Sequence, residues 1–177
     1  MNTETVEVIR FDMLTLERHL DDLCGVLLDT VEDGAAVSFM APLGRGDAEQ
    51  FWQRDVGTAL GNGARLLFGA LVDGKVVGTV QLMVSLPPNQ PHRAEISKMM
   101  VHPTHRQRGI GKRLLNAAFE AARGAGKTLV TLDTRTGDVS EKLYKAVGFE
   151  RAGEIPDFAL DPDGQALHAT TYMYKRL

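Results

Sequence analysis

The segment Arg106-Gln107-Arg108-Gly109-Ile110-Gly111 holds the residues with the clearest chemical potential. It follows an apolar run and the breaker His102-Pro103, and it precedes a helical repeat of apolar residues. This order places backbone N–H groups at the positive end of a helix, where a phosphate binds well. The two glycines have no Cβ, so an anion can approach the main chain, and the two arginines add positive charge. The pattern predicts a phosphate site.

Two common phosphate loops do not fit this segment. A P-loop requires Ser or Thr directly after Gly-Lys, and Gly111-Lys112 is followed by Arg113. A dinucleotide-binding loop requires a third glycine three residues after the second, and Leu114 stands there. The six residues alone leave a second interpretation open, in which a glycine-rich turn simply starts a helix.

The elements around this turn follow from apolar periodicity and from the positions of Gly, Pro and Asp. The predicted strands are 4–9, 65–72, 75–86, 93–101, 127–134, 149–155 and 166–175. The predicted helices are 16–31, 47–60, 110–124 and 138–147, with Asp47 and Asp138 as N-caps. Residues 33–46 are a predicted loop, whose Phe39 and Met40 either line a ligand site or plug into the core.

Size and composition restrict the function classes. The 177 residues fit one domain spanning 1–177, and 44% apolar residues suffice for a sizeable core. The net charge of −3 argues against a nucleic-acid partner. The first residues lack a basic segment followed by an apolar core, so no signal peptide is expected, and no apolar run approaches the about 20 residues that cross a membrane. Cys24 is the sole cysteine and is expected to be an inert buried thiol. We therefore expect a cytoplasmic protein without a membrane partner.

Two motifs, in the order of the predicted elements, resemble one enzyme family. Arg-x-x-Gly-x-Gly after a strand is similar to the pyrophosphate-binding signature of the GNAT N-acetyltransferases. Leu143-Tyr144-Lys145-Ala146-Val147-Gly148-Phe149 resembles that family's tyrosine-containing helix followed by Gly-Phe. The element order is similar to the family's over essentially the whole chain. Segments 29–43, 93–103 and 132–163 further resemble the tabtoxin-resistance acetyltransferases.

The resemblance implies an α/β GNAT fold, with a mixed, mostly antiparallel central sheet of about seven strands flanked by four helices. It implies acetyl-CoA as co-substrate and no metal. Strand backbone would meet the pantetheine as an added strand and supply an oxyanion donor, and the glycine turn would hold the pyrophosphate. The implied cofactor-binding residues are Met99, Met100, Val101, Arg106, Gln107, Arg108, Gly109, Ile110, Gly111, Lys112 and Thr134. Many relatives have Asn seven residues before the tyrosine, where this chain has Gly137, so that contact is expected either to be missing or to be supplied by a neighbour such as Thr134 or Thr136.

Acetyl transfer to an amine requires a base, donors for the developing oxyanion and a proton for the leaving thiolate. Glu95 is the leading base candidate, because apolar neighbours before and after it in the sequence would strengthen it as a base. Asp133 is the second, either as a shared base or as a partner of the ammonium. The resemblance places the Tyr144 hydroxyl near the CoA sulfur, as the acid. The alternatives are an ion pair of Glu95 with Arg93 or Lys98, a capping or loop role for Asp133, and an ordinary helix aromatic for Tyr144.

The expected acceptor is a primary amine, and the resemblance suggests a small molecule such as an amino-acid-like toxin or antibiotic. Two alternatives stay open: a protein N-terminus or lysine as the acceptor, and an acyl-CoA-binding domain without catalysis. Members of this family are often dimeric, so a homodimer is one expected assembly. His102, His105 and His168 show no metal-ligand pattern with a fourth partner and are expected to be loop or surface residues.

Overall fold

The computed structural model describes residues 5–177, so the first residue of the predicted strand 4–9 lies outside the described part of the chain. The strands are β1 (Val6–Arg10), β2 (Arg65–Val72), β3 (Lys75–Met83), β4 (Arg93–Val101), β5 (Leu129–Arg135), β6 (Glu150–Leu160) and β7 (Leu167–Arg176). The α-helices are α1 (Met13–Arg18), α2 (Leu20–Glu32), α3 (Arg45–Gln50), α4 (Gly57–Gly61), α5 (Ile110–Gly124) and α6 (Val139–Ala146). A π-helical stretch, Phe51–Val56, joins α3 to α4, and a 3-10 turn, Pro103–His105, follows β4.

The described strands form one seven-stranded sheet in the order β1-β2-β3-β4-β5-β7-β6. β4 and β5 run parallel, whereas each of the other neighbouring pairs is antiparallel. The expected mixed, mostly antiparallel sheet is therefore confirmed. The single parallel pair lies in the middle of the sheet, next to the helix that follows the glycine turn.

Helices pack on both faces of the sheet, because side chains alternate between the faces along each strand. On one face, Ile96 of β4 belongs to a core that includes Leu114 of α5. On the other face, Leu67 of β2 belongs to a second core with Leu27 of α2 and the fully buried Trp52. Each side chain of β4 and β5 therefore lies either on the face covered by α5 or on the face covered by α2.

Several local features differ from the sequence-based prediction. The predicted helix 16–31 is two helices, because His19 leaves the helical conformation between α1 and α2 (φ −105°, ψ 17°). Asp47 is not an N-cap: α3 begins after Gly44, whose carbonyl accepts from the Ala48 N–H at 3.1 Å, so Asp47 lies in the first turn. The described chain therefore has five helical regions where four were expected, counting α3 to α4 as continuous.

Two further expectations concern strand length and burial. β6 continues to Leu160, beyond the predicted end at residue 155, and carries a register irregularity against β7. Cys24 is buried, as expected, and burial raises the pKa of its thiol. Among residues 5–177, no helix combines the length and the apolar character needed to cross a bilayer.

Gly69 of β2 lies where the Phe11 ring covers the sheet. A Cβ on Gly69 would lie 2.4 Å from Phe11 Cε1, and Phe11 is itself buried. We expect Gly69→Ala to lower the free energy of unfolding by about 1–3 kcal/mol, because the ring must shift in a packed core. Gly25→Ala in α2 is the matched control: its Cβ meets no described atom within 4 Å, and alanine in a helix interior stabilises by roughly 0.5–1 kcal/mol. Urea denaturation that gives both variants the same midpoint would contradict this packing.

Candidate active site

β4 and β5 pair over three residues each and then separate. Residues 93–95 pair with residues 129–131, and beyond them the strands continue to Val101 and Arg135 without pairing to each other. Over the same stretch β4 stays paired with β3, and β5 stays paired with β7. The sheet therefore opens into a wedge-shaped gap, and residues 97–101 of β4 form one of its walls.

A β-bulge in β4 accompanies this separation. The register with β3 skips one residue, so that residues 98 and 99 of β4 both face residue 80 of β3. Lys98 has a φ of 49°, which is uncommon for a residue other than glycine. Bulges bend their strand and redirect its side chains. Here the ammonium of Lys98 lies 5.5 Å from the centre of the Phe39 ring, and both residues line a cleft at the gap.

The alternation of backbone groups along β4 directs some N–H groups into the gap. The His102 N–H donates to the Val77 carbonyl of β3 at 2.8 Å, and N–H direction alternates along a strand. The N–H groups of Val101 and Met99 therefore point away from β3, into the gap, whereas that of Met100 points toward β3. The Met100 side chain is also buried in the core. Of the three residues expected to meet the pantetheine, Met99 and Val101 have the suitable direction.

The glycine turn leaves the first N–H groups of α5 without an intrahelical partner. Gly109 is the N-cap, in the left-handed conformation (φ 74°), and it provides no side-chain cap. The Arg113 N–H donates to the Gly109 carbonyl at 3.2 Å, so the N–H groups of residues 110–112 precede the first closed helical turn. Gln107 also has a positive φ, of 61°. The turn therefore presents backbone donors at the positive end of a 15-residue helix.

Arg106 lines the cleft, and its positive charge is paired with a carboxylate. Its guanidinium pairs with Asp33 after α2, and its Nε donates to the Val101 carbonyl at 3.1 Å. His102 lies 2.7 Å from the carboxylate of Asp29, within α2. These contacts hold the connection between β4 and the glycine turn against α2, so Arg106 positions the turn.

The two glycines of the turn serve different purposes. A Cβ on Gly111 would lie 2.8 Å from Leu143 Cδ2 and 3.3 Å from Met99 Cε, so this glycine lets α6 pack against α5 and β4. A Cβ on Gly109 would meet no described atom within 4 Å. The missing Cβ of Gly109 therefore leaves room for an anion, as expected. The missing Cβ of Gly111 instead leaves room for Leu143 and Met99.

Glu95 and Asp133 lie on the same face of the sheet, on the two strands that border the gap. Glu95 is in register with Thr131, and Asp133 is two residues further along β5. The Arg93 guanidinium donates to Glu95 Oε2 at 3.0 Å and to Thr131 Oγ1 at 2.6 Å. The apolar surroundings expected for Glu95 are wrong, because its two sequence neighbours point to the opposite face and are buried near α5. The alternative of an ion pair with Arg93 is present.

Asp133 is the carboxylate more open to the cleft. It is exposed, whereas Glu95 is half-buried, and its Oδ2 accepts from the Thr170 hydroxyl of β7 at 2.8 Å. A hydroxyl orients the carboxylate without neutralising its charge. Thr170 was not predicted from the sequence as a site residue, because only the pairing of β5 with β7 brings it beside Asp133.

Tyr144 of α6 is buried at the wall of the cleft. The residue is 6% exposed, and its ring packs edge-on against Phe149 at a centroid distance of 5.7 Å. Burial raises the pKa of the Tyr144 phenol, and the charges of Asp138 and Asp133 raise it further. The hydroxyl therefore keeps its proton at neutral pH and can act as a hydrogen-bond donor.

The loop between β5 and α6 contains the position where Asn was expected from the resemblance. Gly137 has a φ of 77° there, and its N–H donates to Glu141 Oε2 at 3.1 Å. Glu141 thus reaches back to residue 137, and Asp138, the predicted N-cap, accepts from the adjacent Val139 N–H. The Thr134 hydroxyl lies 2.8 Å from that of Ser140. Residues 134, 137 and 140 all line the cleft, so polar groups stand where the Asn contact is missing.

One cleft of about 1110 Å³ connects the gap, the glycine turn and the carboxylates. Residues 35–40 and residues 158–160 both contribute to its lining. The two segments are linked, since the Ala41 N–H donates to the Pro162 carbonyl at 2.8 Å. Phe39 lines the cleft and packs edge-on against Phe51 at 5.1 Å, so it is both a wall and a core contact. Both segments border the end of the cleft that holds the carboxylates, since Phe39 lies beside Lys98 and Phe158 packs against Tyr172, the partner of Asp133 on β7.

The histidines do not form a metal site within residues 5–177, where no group of three or more His, Cys, Asp or Glu side chains is arranged for a metal ion. His168 lies in β7 and is held 2.9 Å from Asp161, so the expectation of a loop or surface position is wrong for it. Lys98 also lines the cleft, whereas the sequence suggested it only as an ion-pair partner for Glu95. The available signal was the interruption of an apolar run by Ser97 and Lys98.

The sequence of this chain matches a known protein family over most of the part that forms the cleft. The family model described as "Acetyltransferase (GNAT) family" matches residues 28–149, which include β4, the glycine turn, α5 and α6. The chain belongs to the GNAT acetyltransferase family. The family resemblance is thereby confirmed, whereas the closer resemblance to the tabtoxin-resistance acetyltransferases stays a prediction.

Curated GNAT relatives match part of this chain. The N-alpha-acetyltransferase RimI of Mycobacterium tuberculosis is 37% identical over 86 residues, which cover 48% of this chain and 52% of RimI. Human N-acetyltransferase 8 is 34% identical over 102 residues, which cover 56% of this chain and 44% of that protein. The chain therefore spans about half the length of these relatives.

Solved GNAT structures share the fold at low sequence identity. An N-acetyltransferase from Staphylococcus aureus Mu50 has a TM-score of 0.80 at 17% identity, covering 97% of this chain and 98% of that chain. The ribosomal-protein-alanine N-acetyltransferase from Brucella melitensis has a TM-score of 0.78 at 21% identity, covering 97% and 99%. YncA from Salmonella typhimurium, solved with its cofactor acetyl-CoA, has a TM-score of 0.76 at 18% identity, covering 98% and 94%.

Proposed function

We propose that this chain transfers an acetyl group from acetyl-CoA to a primary amine of a small molecule. The observation that carries the proposal is the gap between β4 and β5, which directs the N–H groups of Met99 and Val101 outward and leads to the uncapped start of α5. An extended pantetheine can add to such an edge like a further strand. A pyrophosphate suits the N-terminus of a helix.

The residues of the glycine turn fit the pyrophosphate of acetyl-CoA. The N–H groups of residues 110–112 and the open space at Gly109 supply the donors and the room for a close approach. Lys112 is exposed in the first turn of α5 and lines the same cleft. These features support a cofactor orientation with phosphates at α5 and thioester near the carboxylates.

Glu95 and Asp133 are the groups proposed to take the proton of the acceptor, whose ammonium has an ordinary pKa of about 10. The Arg93 guanidinium already occupies an oxygen of Glu95, which is half-buried. Asp133 is exposed to the cleft, and the partner of its Oδ2 is the Thr170 hydroxyl. We therefore propose that Asp133 has the larger share of the base role and that Glu95 holds the ammonium.

The remaining steps use a backbone donor and a phenol. Acetyl-CoA supplies the thioester, whose carbonyl carbon is attacked by the amine nitrogen as the bond to sulfur breaks. The N–H of Met99 or Val101 donates to the developing oxyanion. Tyr144 donates a hydrogen bond to the departing sulfur. A phenol of raised pKa is a weaker acid than a thiol of pKa about 8.5, so full proton transfer from Tyr144 is uphill and the hydroxyl acts by hydrogen bonding.

The two segments that border the carboxylate end support a small acceptor. Residues 35–40 and 158–160 border this end and are joined by the Ala41–Pro162 hydrogen bond, which leaves less room for a polypeptide than an open groove does. With the resemblance to the tabtoxin-resistance acetyltransferases, this favours detoxification of an amino-acid-like toxin or antibiotic. A cytoplasmic location and a homodimer belong to the same proposal.

A protein N-terminus is the second candidate acceptor, because RimI of M. tuberculosis is named as an N-alpha-acetyltransferase and is 37% identical over 86 residues. A non-catalytic acyl-CoA-binding domain is the third interpretation. Release of free CoA, measured with a panel of small amines and of peptides with free N-termini, separates them. Turnover with small amines supports the proposal, turnover with peptides alone supports the second candidate, and no turnover contradicts both.

Acetyl-CoA binding through the glycine turn predicts a position-specific effect of adding one methyl group. We expect Gly109→Ala to weaken acetyl-CoA affinity about tenfold or more, because the methyl group enters the open space of the phosphate site. Gly126→Ala is the matched control, since Gly126 has a φ of 72° against 74°, has open space around its Cβ position, and lies beyond the far end of α5. Calorimetry on both folded variants measures the affinities. Equal acetyl-CoA affinities for the two variants would remove the turn from the binding site.

The base proposal predicts that removing a carboxylate charge slows acetyl transfer. We expect Asp133→Asn to lower kcat/KM by roughly 10²-fold at neutral pH, with partial recovery at high pH, because less ammonium then needs deprotonation. Glu95→Gln should have the smaller effect. Glu154→Gln is the control, because Glu154 pairs with Arg151 on β6, away from the cleft lining. Near-normal rates in both cleft variants would show that neither carboxylate is the base.

The proposed role of Tyr144 predicts a loss in kcat without loss of structure. Tyr144→Phe keeps the ring against Phe149 and removes the hydroxyl, so stability and acetyl-CoA affinity should stay nearly unchanged. The rate should fall by up to about 10²-fold, because charge builds on sulfur in the transition state. Tyr174→Phe is the control, since its hydroxyl contacts Glu150 outside the cleft. A normal kcat with weakened acetyl-CoA binding would make Tyr144 a binding residue instead.

A further inference from the structure

Lys98 stands at the point of β4 where the bulge redirects the strand. Residues 98 and 99 share one partner position on β3, and the positive φ of Lys98 turns its side chain toward Phe39. The bulge lies three residues beyond Glu95, on the wall of the gap. A lysine ammonium is therefore held in the same end of the cleft as the two carboxylates.

Among the residues that the structure describes, Lys98 forms no ion pair with a carboxylate. The lysine, arginine and histidine side chains that line the cleft are Lys98, His105, Arg106, Lys112, Arg135 and His168. Arg106 pairs with Asp33, and Arg135 and His168 share Asp161. Within residues 5–177, neither lining lysine forms an ion pair. Lys112 belongs to the phosphate end, so Lys98 is the cation that remains at the carboxylate end.

The surroundings of Lys98 favour an incoming anion. Its ammonium lies over the Phe39 ring, a contact that partly compensates a desolvated cation. Burial lowers the pKa of the Lys98 ammonium, the charge of Arg65 lowers it further, and the charge of Asp133 opposes this. A half-buried ammonium has lost part of its hydration, so a bound carboxylate lowers its free energy more than that of a solvated surface lysine.

We propose that Lys98 binds a carboxylate of the acceptor, so that the acceptor is an amine with a carboxylate in the same molecule. This inference rests on the proposed function, because it concerns the acceptor of that reaction. Glu95 and Asp133 receive the ammonium end of such a molecule, and Lys98 receives its anionic end. The cleft then complements a zwitterion, and Lys98 is a specificity-determining residue.

The spacing along β4 limits the size of this acceptor. Three residues of extended strand separate Glu95 from Lys98 by about 10 Å between Cα atoms. Both side chains line the same cleft, so an acceptor that contacts both has its amine and its carboxylate within about 10 Å of each other. An amino acid meets this limit, whether its α-amine or a side-chain amine reacts.

The test compares each amino acid with its own carboxamide, for example lysine with lysinamide and phenylalanine with phenylalaninamide. The measured quantity is kcat/KM for the amino acid divided by kcat/KM for the carboxamide, from CoA release. We expect Lys98→Met to lower this ratio by about 10- to 150-fold, the effect of losing a hydrogen bond to a charged group. Lys98→Arg keeps the charge and should keep most of the ratio. Comparing ratios between variants cancels the different basicity of the two amines.

Controls separate recognition from structure and from chemistry. Lys112→Met should weaken acetyl-CoA binding and leave the ratio unchanged. Acetyl-CoA affinity of Lys98→Met reports its folding, and Lys98→Gln is a second neutral variant with a polar end. An equal loss of rate for amino acid and carboxamide would assign Lys98 to the chemistry and overturn the inference. So would a wild-type preference for the carboxamides, which would leave the proposed function intact. No turnover of any amine would instead refute the proposed function, and the inference with it.

Discussion

The separation of β4 from β5 after three paired residues is the constraint on which the rest of the site depends. β4 stays bound to β3 and β5 to β7, so the sheet consists of two well-paired parts with a short parallel junction. Backbone N–H groups on the open edge of β4 then need a partner, because a sheet edge in a cleft is costly to leave unsatisfied. In the proposed function, an extended ligand supplies that partner.

Charged contacts hold the two ends of this opening in place. At its closed end, Arg93 joins Glu95 of β4 to Thr131 of β5. At its open end, Arg106 pairs with Asp33 and His102 contacts Asp29, and these contacts hold the loop after β4 against α2. The shape of the gap is therefore set by contacts that lie beside the proposed chemistry.

The sequence predicted elements with strong local signals and missed features that depend on partners. β4 has the predicted bounds, Arg93–Val101, because a proline-rich loop and His102-Pro103 delimit it. The bulge at Lys98 was not predictable, since it is a mismatch between two strands rather than a property of one. Glu95 was expected in apolar surroundings because its sequence neighbours are apolar, yet alternation sends them to the opposite face. The packing role of Gly111 depends on Leu143, a contact between distant segments.

The most direct test of the account is residue-resolved amide hydrogen exchange with and without saturating acetyl-CoA. The account predicts slower exchange, by about tenfold or more, at Met99 or Val101 and within residues 110–112, because bound ligand protects the donors that point into the gap and the helix start. Met100 should change little, since its N–H points toward β3. Binding of acetyl-CoA with unchanged exchange along β4 and the start of α5 would contradict the account, because the ligand would then occupy another part of the molecule.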